Sequence, residues 1–267
     1  MPHDSNVITS SSNESVKYVR SLHRRRSRYR DRVFIAEGLR TIEEAIEAGI
    51  QPAFLFHTPA LAEVPRVRRL LLQVEQWGAQ ARVVSDSVMS VMSDTVTPQG
   101  VLAVLPMSEC SIPRPLTWVL VIDRLRDPGN MGTILRSALA AGIELVITIP
   151  GTVDVYSPKV VRAGMGAHFR LNLCVDQPWP MVQDALQGLR VLLAKPGVGS
   201  PYWDVDWRQP TALCIGGEAQ GASLQAEKLA TDTVTIPMCN GVESLNAAVA
   251  ASVLLFEAAR QRSGGEL

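Results

Sequence analysis

Short apolar runs alternate with amphipathic stretches along nearly the whole chain, the rhythm of strands and the helices that cover them. In the amino-terminal part the pattern predicts a helix over 14–22 behind an Asn13 cap, a strand over 32–36 and a helix over 39–48 that stops at Gly49. A strand over 53–57, a helix over 65–77 closed by Gly78, a strand over 81–85, a short helix near Val88 and a strand over 101–105 complete a small α/β sandwich. The stretch from Pro106 to Pro115 then carries three prolines, which resist both helix and central strand and suit an extended linker. The expected boundaries are a domain over 1–106, a linker over 107–116 and a second domain over 117–267.

The second alternation predicts strands over 118–122, 144–149, 171–175, 190–194, 211–215 and 233–236. Helices are predicted over 131–141, near 158–163, over 180–188 and 223–230, and from about 245 to 261. The runs Trp118-Val119-Leu120-Val121-Ile122 and Ala212-Leu213-Cys214-Ile215 are apolar at every position, which implies burial on both faces, as in a parallel sheet covered by helices.

Composition adds little until it is resolved by position. With 26 basic and 26 acidic residues in 267, global charge names no partner. Locally, Lys17, Arg20, Arg24, Arg25, Arg26, Arg28, Arg30 and Arg32 stand against the single acid Asp31. Cys110, Cys174, Cys214 and Cys239 are widely spaced and form no metal-ligand pattern, so neither a zinc site nor a disulfide framework is expected. The first residues lack a charged-then-apolar signal peptide, and no run approaches the roughly 20 apolar residues that span a bilayer. A soluble, reducing, cytoplasmic setting without membrane or metal is the expectation.

Three segments carry candidate chemistry, each where an apolar strand gives way to a turn or helix, which is where open α/β sheets bind ligands. Asp127-Pro128-Gly129-Asn130 launches a helix bearing Gly132, Thr133 and Arg136. Asn130 suits a plain helix cap or a site amide, and Arg136 either a solvated position or a phosphate or carboxylate contact. Gly216-Gly217-Glu218-Ala219-Gln220-Gly221 follows a buried strand, but it matches neither the dinucleotide fingerprint nor the P-loop. Ile236-Pro237-Met238 leads through Asn240 and Gly241 to Ser244-Leu245-Asn246, with Ser244 where a helix cap would stand. The small side chains of Ala247, Ala248, Ala250, Ala251, Ala258 and Ala259 then permit close approach to another element.

Taken in order, these segments resemble the SpoU (TrmH-type) branch of the SPOUT methyltransferases over roughly residues 117–262, and Tyr156-Ser157-Pro158-Lys159-Val160-Val161-Arg162 is similar to that family's connecting segment. Gly164-Met165-Gly166 departs from it in lacking a small hydroxyl residue before the second glycine. The resemblance implies S-adenosylmethionine as methyl donor and an RNA ribose 2′-hydroxyl as acceptor. It implies that Asn130 and Arg136 are the motif-one amide and catalytic arginine, Glu218 the motif-two acid, and Ser244 and Asn246 the motif-three polar pair. Gly216, Ile236 and Leu245 would line the donor pocket, with Gly217 and Met238 adjacent. It further implies a deep trefoil knot and a homodimer whose site is completed across the interface.

The amino-terminal segment from Ile8 through Asn13, Lys17, Leu22 and Arg28 to Phe34-Ile35-Ala36-Glu37-Gly38 resembles the accessory RNA-binding domain of ribosomal-RNA members. Its arginines would neutralise phosphates, and Tyr18 and Tyr29 are candidates for base stacking. Ribosomal RNA is therefore favoured over transfer RNA. Base methylation, transfer-RNA ribose methylation and a non-catalytic ribosome-assembly factor are the competing functions.

Overall fold

The computed structural model describes residues 7–218 and 221–264, so the polar lead 1–6 and two residues of the glycine turn, Ala219 and Gln220, lie outside the described residues. The chain divides into two compact units, Met1–Met107 with Tyr156–Phe169, and Ser108–Val155 with Arg170–Leu267.

The first unit contains α1 (Glu14–Ser21), α2 (Arg25–Asp31), β1 (Val33–Glu37), α3 (Leu39–Glu47), β2 (Phe54–His57), α4 (Pro59–Ala62), α5 (Pro65–Gln76), β3 (Gln80–Val83), α6 (Asp86–Met92) and β4 (Val101–Pro106). Asn13 caps α1, accepting from Ser15 N at 2.9 Å. The sheet runs β1-β4-β2-β3, antiparallel except between β2 and β3. Val16, Val19, Phe56, Met89, Leu102 and Val104 pack the core beneath it. The basic run forms α2, a helix that periodicity does not predict because Arg25-Arg26-Ser27-Arg28-Tyr29-Arg30-Asp31 has no apolar stripe. From later in the chain, α8 (Pro158–Gly164) and the 3₁₀ turn Ala167–Phe169 belong to this unit, with Phe34 against Tyr156 at 5.0 Å between ring centroids. Met165, where a small hydroxyl residue was expected, ends α8 in the left-handed region at φ 46°.

The second unit comprises β5 (Trp118–Asp123), α7 (Pro128–Ala140), β6 (Leu145–Thr148), β7 (Leu173–Cys174), α9 (Trp179–Ala185), β8 (Arg190–Ala194), β9 (Ser200–Pro201), β10 (Thr211–Gly216), α10 (Leu224–Leu229), β11 (Asp232–Thr235) and α11 (Ala247–Arg262). Its seven strands lie in the order β7-β6-β5-β10-β8-β11-β9, and every pairing is parallel. The chain steps outward from β5 through β6 to β7, then crosses back to β8 on the far side of β10. This makes the β5–β10 boundary the switch point of the sheet. Val119, Val121, Ile147, Leu193 and Cys214 fill one face, and burial pushes the Cys214 thiol pKa up.

At the amino edge of this sheet Glu144 accepts from Thr117 N at 2.7 Å, Thr117 Oγ1 at 2.6 Å and Trp118 N at 3.3 Å. Arg262 donates to Trp207 O and Thr117 Oγ1, both at 2.7 Å, and lies over the Trp118 ring. Cys110 and Cys174 are joined by a disulfide, with Cα atoms 4.7 Å apart, which corrects the expectation of unbonded cysteines. Their 64-residue separation conceals the proximity, because Cys174 ends the edge strand β7 beside which the proline-rich stretch runs.

Candidate functional site

β10 ends at Gly216, and the turn beyond it closes on itself, Gly217 N donating to Gly221 O and Gly221 N to Gly217 O, both at 3.1 Å. A Cβ added at Gly216 would lie 2.5 Å from Ala222 N, and one at Gly217 2.5 Å from Arg124 O, so neither position has room for a side chain. This bare turn borders a cavity of about 750 Å³ at the carboxyl ends of β8, β10 and β11. Gly216, Gly217, Ile236, Met238 and Leu245 all line it, as do Glu218, Ser244 and Asn246. Buried Ile215, Val234 and Leu254 supply an apolar lining, and Lys195 pairs with Glu227 at 2.7 Å on its wall.

A hydrogen-bonded chain joins the three segments. Asp127 caps α7 by accepting from Asn130 N at 2.7 Å. Asn130 Nδ2 donates to Glu218 Oε1 at 2.8 Å, and Asn246 Nδ2 donates to Asn130 Oδ1 at 2.9 Å. Glu218 also accepts from Arg126 N at 3.2 Å and Asp127 N at 3.4 Å. Partial burial pushes the Glu218 carboxyl up, but these donors outweigh it and hold its pKa below the ordinary glutamate value. It is therefore an anion and an acceptor at neutral pH, and becomes a proton carrier only in acid.

Ser244 is not the cap of the last helix. Asn246 takes that role, its Oδ1 accepting from Ala248 N at 2.9 Å and Val249 N at 3.2 Å, so α11 begins two residues later than expected. Ser244 faces the cavity and makes no hydrogen bond among the described residues. Arg136 is likewise exposed and without a partner among them, on the solvent side of α7 with Thr133. Six residues beyond Asn130 along that helix, it is displaced by about 9 Å and does not border the cavity. Within one chain, Arg136 has no hydrogen bond to Asn130, Ser244 or Asn246 among the described residues.

In the first unit Lys17, Arg20, Arg24, Arg25, Arg26 and Arg30 are exposed, with Arg25 over the Tyr29 ring at 4.9 Å and Arg30 paired to Asp31 at 2.6 Å. Arg28 departs from the expected RNA-facing set. It is 2% exposed and donates to Leu22 O at 2.6 Å, a buried brace for the turn between α1 and α2. Tyr18 packs edge-on against Phe54 and Tyr29 against Tyr156, so both candidate stacking rings already have ring neighbours.

Sequence reasoning overlooked the end of β8 and the segment after it, where Ala194, Lys195, Pro196 and Val198 line the cavity. Two glycines within Lys195-Pro196-Gly197-Val198-Gly199 at another strand end were the available signal, and a Cβ at Gly199 would collide with Thr233 O.

Residues 117–256 match the SpoU rRNA methylase family, and residues 13–103 match the MRM3-like substrate binding domain. An uncharacterized tRNA/rRNA methyltransferase of Synechocystis is 35% identical, the alignment covering 96% of this chain and 94% of that protein. The 23S rRNA (guanosine(2553)-2′-O)-methyltransferase RlmP of Bacillus subtilis is 32% identical, over 93% of this chain and 97% of its own. The crystal structure of an AdoMet-bound rRNA methyltransferase from Sinorhizobium meliloti superposes with a TM-score of 0.85 at 28% identity, covering 95% of this chain and 97% of that one. The chain belongs to the SpoU rRNA methylase family, a family of S-adenosylmethionine-dependent RNA methyltransferases.

Proposed function

We propose that this protein methylates ribose 2′-hydroxyls of ribosomal RNA, binding S-adenosylmethionine in the cavity at the ends of β8, β10 and β11. The supporting observation is the convergence of three strand-end segments on one cavity, braced by the Asn246–Asn130–Glu218 chain. The lining fits the donor: apolar walls for the adenosine, a glycine turn that a Cβ would fill, and two carboxylates with one ammonium facing a cofactor of net charge +1. When bound, S-adenosylmethionine supplies a methyl group made electrophilic by its sulfonium.

The chain's own part is largely positioning. Asn130 and Asn246 hold the start of α7 against the start of α11, while Glu218 fixes the glycine turn to the start of α7 and the turn before it. A guanidinium offers five N–H donors and no acceptor, so the role of Arg136 is that of a donor and not of a base. Its guanidinium holds the phosphate beside the target ribose and stabilises the developing alkoxide, and the 2′-hydroxyl proton passes to that phosphate. The new bond is oxygen to methyl, the broken one methyl to sulfur, and S-adenosylhomocysteine leaves.

Arg136 lies away from its own chain's cavity, which supports a homodimer in which it serves the partner's site. Val249 at 50% exposure and Phe256 at 48%, with partly exposed Val253 between them, form an apolar stripe on α11 beside α7. Phe256→Asp should sediment as a monomer with little methyl transfer; a monomeric wild type would remove the dimer from this reading. A knotted path for the carboxy-terminal stretch belongs to the same proposal, supported by the family and by the crossing of the chain from β7 back over β10.

The substrate-binding domain match and the exposed Lys17, Arg20 and Arg24 to Arg26 favour ribosomal over transfer RNA. The bacterial relative supports a cytoplasmic setting, against which the Cys110–Cys174 bond is the opposing observation. No helix among the described residues is long and apolar enough to cross a membrane, and no His/Cys/Asp/Glu cluster among them could hold a metal. Mapping alkali-resistant linkages in ribosomal RNA from cells with and without the gene should show at least one 2′-O-methyl site lost on deletion. Unchanged ribosomal RNA, with a methyl lost from transfer RNA, would reverse the substrate assignment.

A further inference from the structure

At the switch point between β5 and β10 lies a second recess of about 410 Å³, which shares Gly217, Glu218 and Gly221 with the donor cavity. Its remaining walls are Arg124, Arg126, Asp127 and Pro128, from the turn that joins β5 to α7. A crevice outside the carboxyl ends of strands, at a reversal of strand order, is where open α/β sheets take ligands.

The charges in this recess are unequally satisfied. Glu218 already accepts from Asn130 Nδ2 and from the backbone of Arg126 and Asp127, and Asp127 Oδ1 accepts from Asn130 N. Arg126, by contrast, is exposed, and its side chain has neither hydrogen bond nor ion pair among the described residues. Arg124 is braced from behind. Its Nε stands 3.5 Å from Asp123 Oδ1, and Asp123 is wholly buried, its other oxygen accepting from Ser223 N at 2.5 Å. The Arg124 backbone sits in the left-handed region at φ 56°, and the glycine at 217 leaves its carbonyl room that a Cβ would take.

We infer that this recess is an anion subsite, which takes a phosphodiester of the RNA next to the target ribose, with Arg126 as its principal contact and Arg124 as the second. The inference rests on the proposed function. The methyl donor offers a single carboxylate and RNA a phosphodiester at every nucleotide, so two guanidinium groups outside the donor cavity suit the RNA, and donor affinity in the variant separates the two. A guanidinium fork matches two phosphate oxygens at once; Glu218 and Asp127 are engaged by N–H donors, so Arg126 is left to the ligand, while Arg124 is held in place by Asp123.

The test compares wild type, Arg126→Ala and Arg126→Lys on protein-free ribosomal RNA from cells lacking the gene. Arg126→Ala should raise KM for RNA about ten-fold with a much smaller change in kcat, and should reduce the salt slope of RNA binding by about 0.7 for a single-stranded contact. S-adenosylmethionine affinity, read by calorimetry, should stay within about two-fold of wild type, since the side chain lies outside the donor cavity. Arg126→Lys should restore the salt slope but only part of the KM, because an ammonium lacks the fork. Wild-type RNA affinity and salt slope in Arg126→Ala, or an equal loss of donor binding, would overturn the subsite. If the wild type transfers no methyl to this RNA, the functional reading fails separately, and the salt slope of binding still decides the subsite.

Discussion

At the amino edge of the seven-stranded sheet, Glu144 and Arg262 tie Thr117, Trp118 and Trp207 together with short hydrogen bonds, whereas at the carboxyl edge Gly216 and Gly217 are bare and Ser244 has no partner among the described residues. The same strands run through both edges. What differs is whether the polar groups are consumed. At one edge they satisfy one another and hold the ends of β5 and α11, so the gain is stability. At the other, the Asn246–Asn130–Glu218 chain fixes a cavity wall, and Arg126 and Ser244 keep donors free for something outside the chain.

This contrast can be broken by substitution at each edge. Gly216→Ala places a Cβ against Ala222 N and the Gly221 carbonyl carbon, both backbone atoms, so the turn must shift. Overpacking of this kind costs about 3 kcal/mol, and S-adenosylmethionine affinity should fall roughly a hundred-fold by calorimetry. Unchanged affinity would show that the turn does not shape the donor cavity.

Glu144→Ala should do the reverse. Losing a charged acceptor from two backbone N–H groups and a hydroxyl should lower folding stability by about 2 kcal/mol in denaturant titration, with activity per folded molecule unchanged. Burial pushes the Glu144 carboxyl up, but the Thr117 and Trp118 donors outweigh it, so its folded pKa lies below the ordinary value. The stability gap between wild type and variant should therefore be full above the ordinary glutamate pKa and close as pH falls through the lowered one. A gap that widens in acid would contradict the clamp.

Much of the carboxyl edge was legible because its chemistry is local. Glycines after a buried strand, and an amide just inside a helix start, follow from turn and cap geometry over a few residues, and all five expected donor contacts border the cavity. The failures are non-local. Ser244 and Asn246 are equally good cap residues two positions apart, and only the packing of α11 decides between them. Arg28 counts as one more charge in the sequence, but α2 turns it inward onto Leu22 O. Cys110 and Cys174 meet because β7 is an edge strand, which spacing does not encode. The lining segment after β8 has glycines but no distinctive polar group apart from Lys195.

The most direct measurement follows purified Arg136→Ala with labelled S-adenosylmethionine and ribosomal RNA from cells lacking the gene, combining calorimetry, transfer rate and nucleoside analysis of the product. Donor affinity should stay within about two-fold of wild type, because Arg136 does not border the cavity, while transfer falls by about a thousand-fold and labelled 2′-O-methyl nucleosides disappear. Transfer near the wild-type rate, or wild-type label recovered on a base atom, would contradict the assignment of Arg136 to a ribose-directed site.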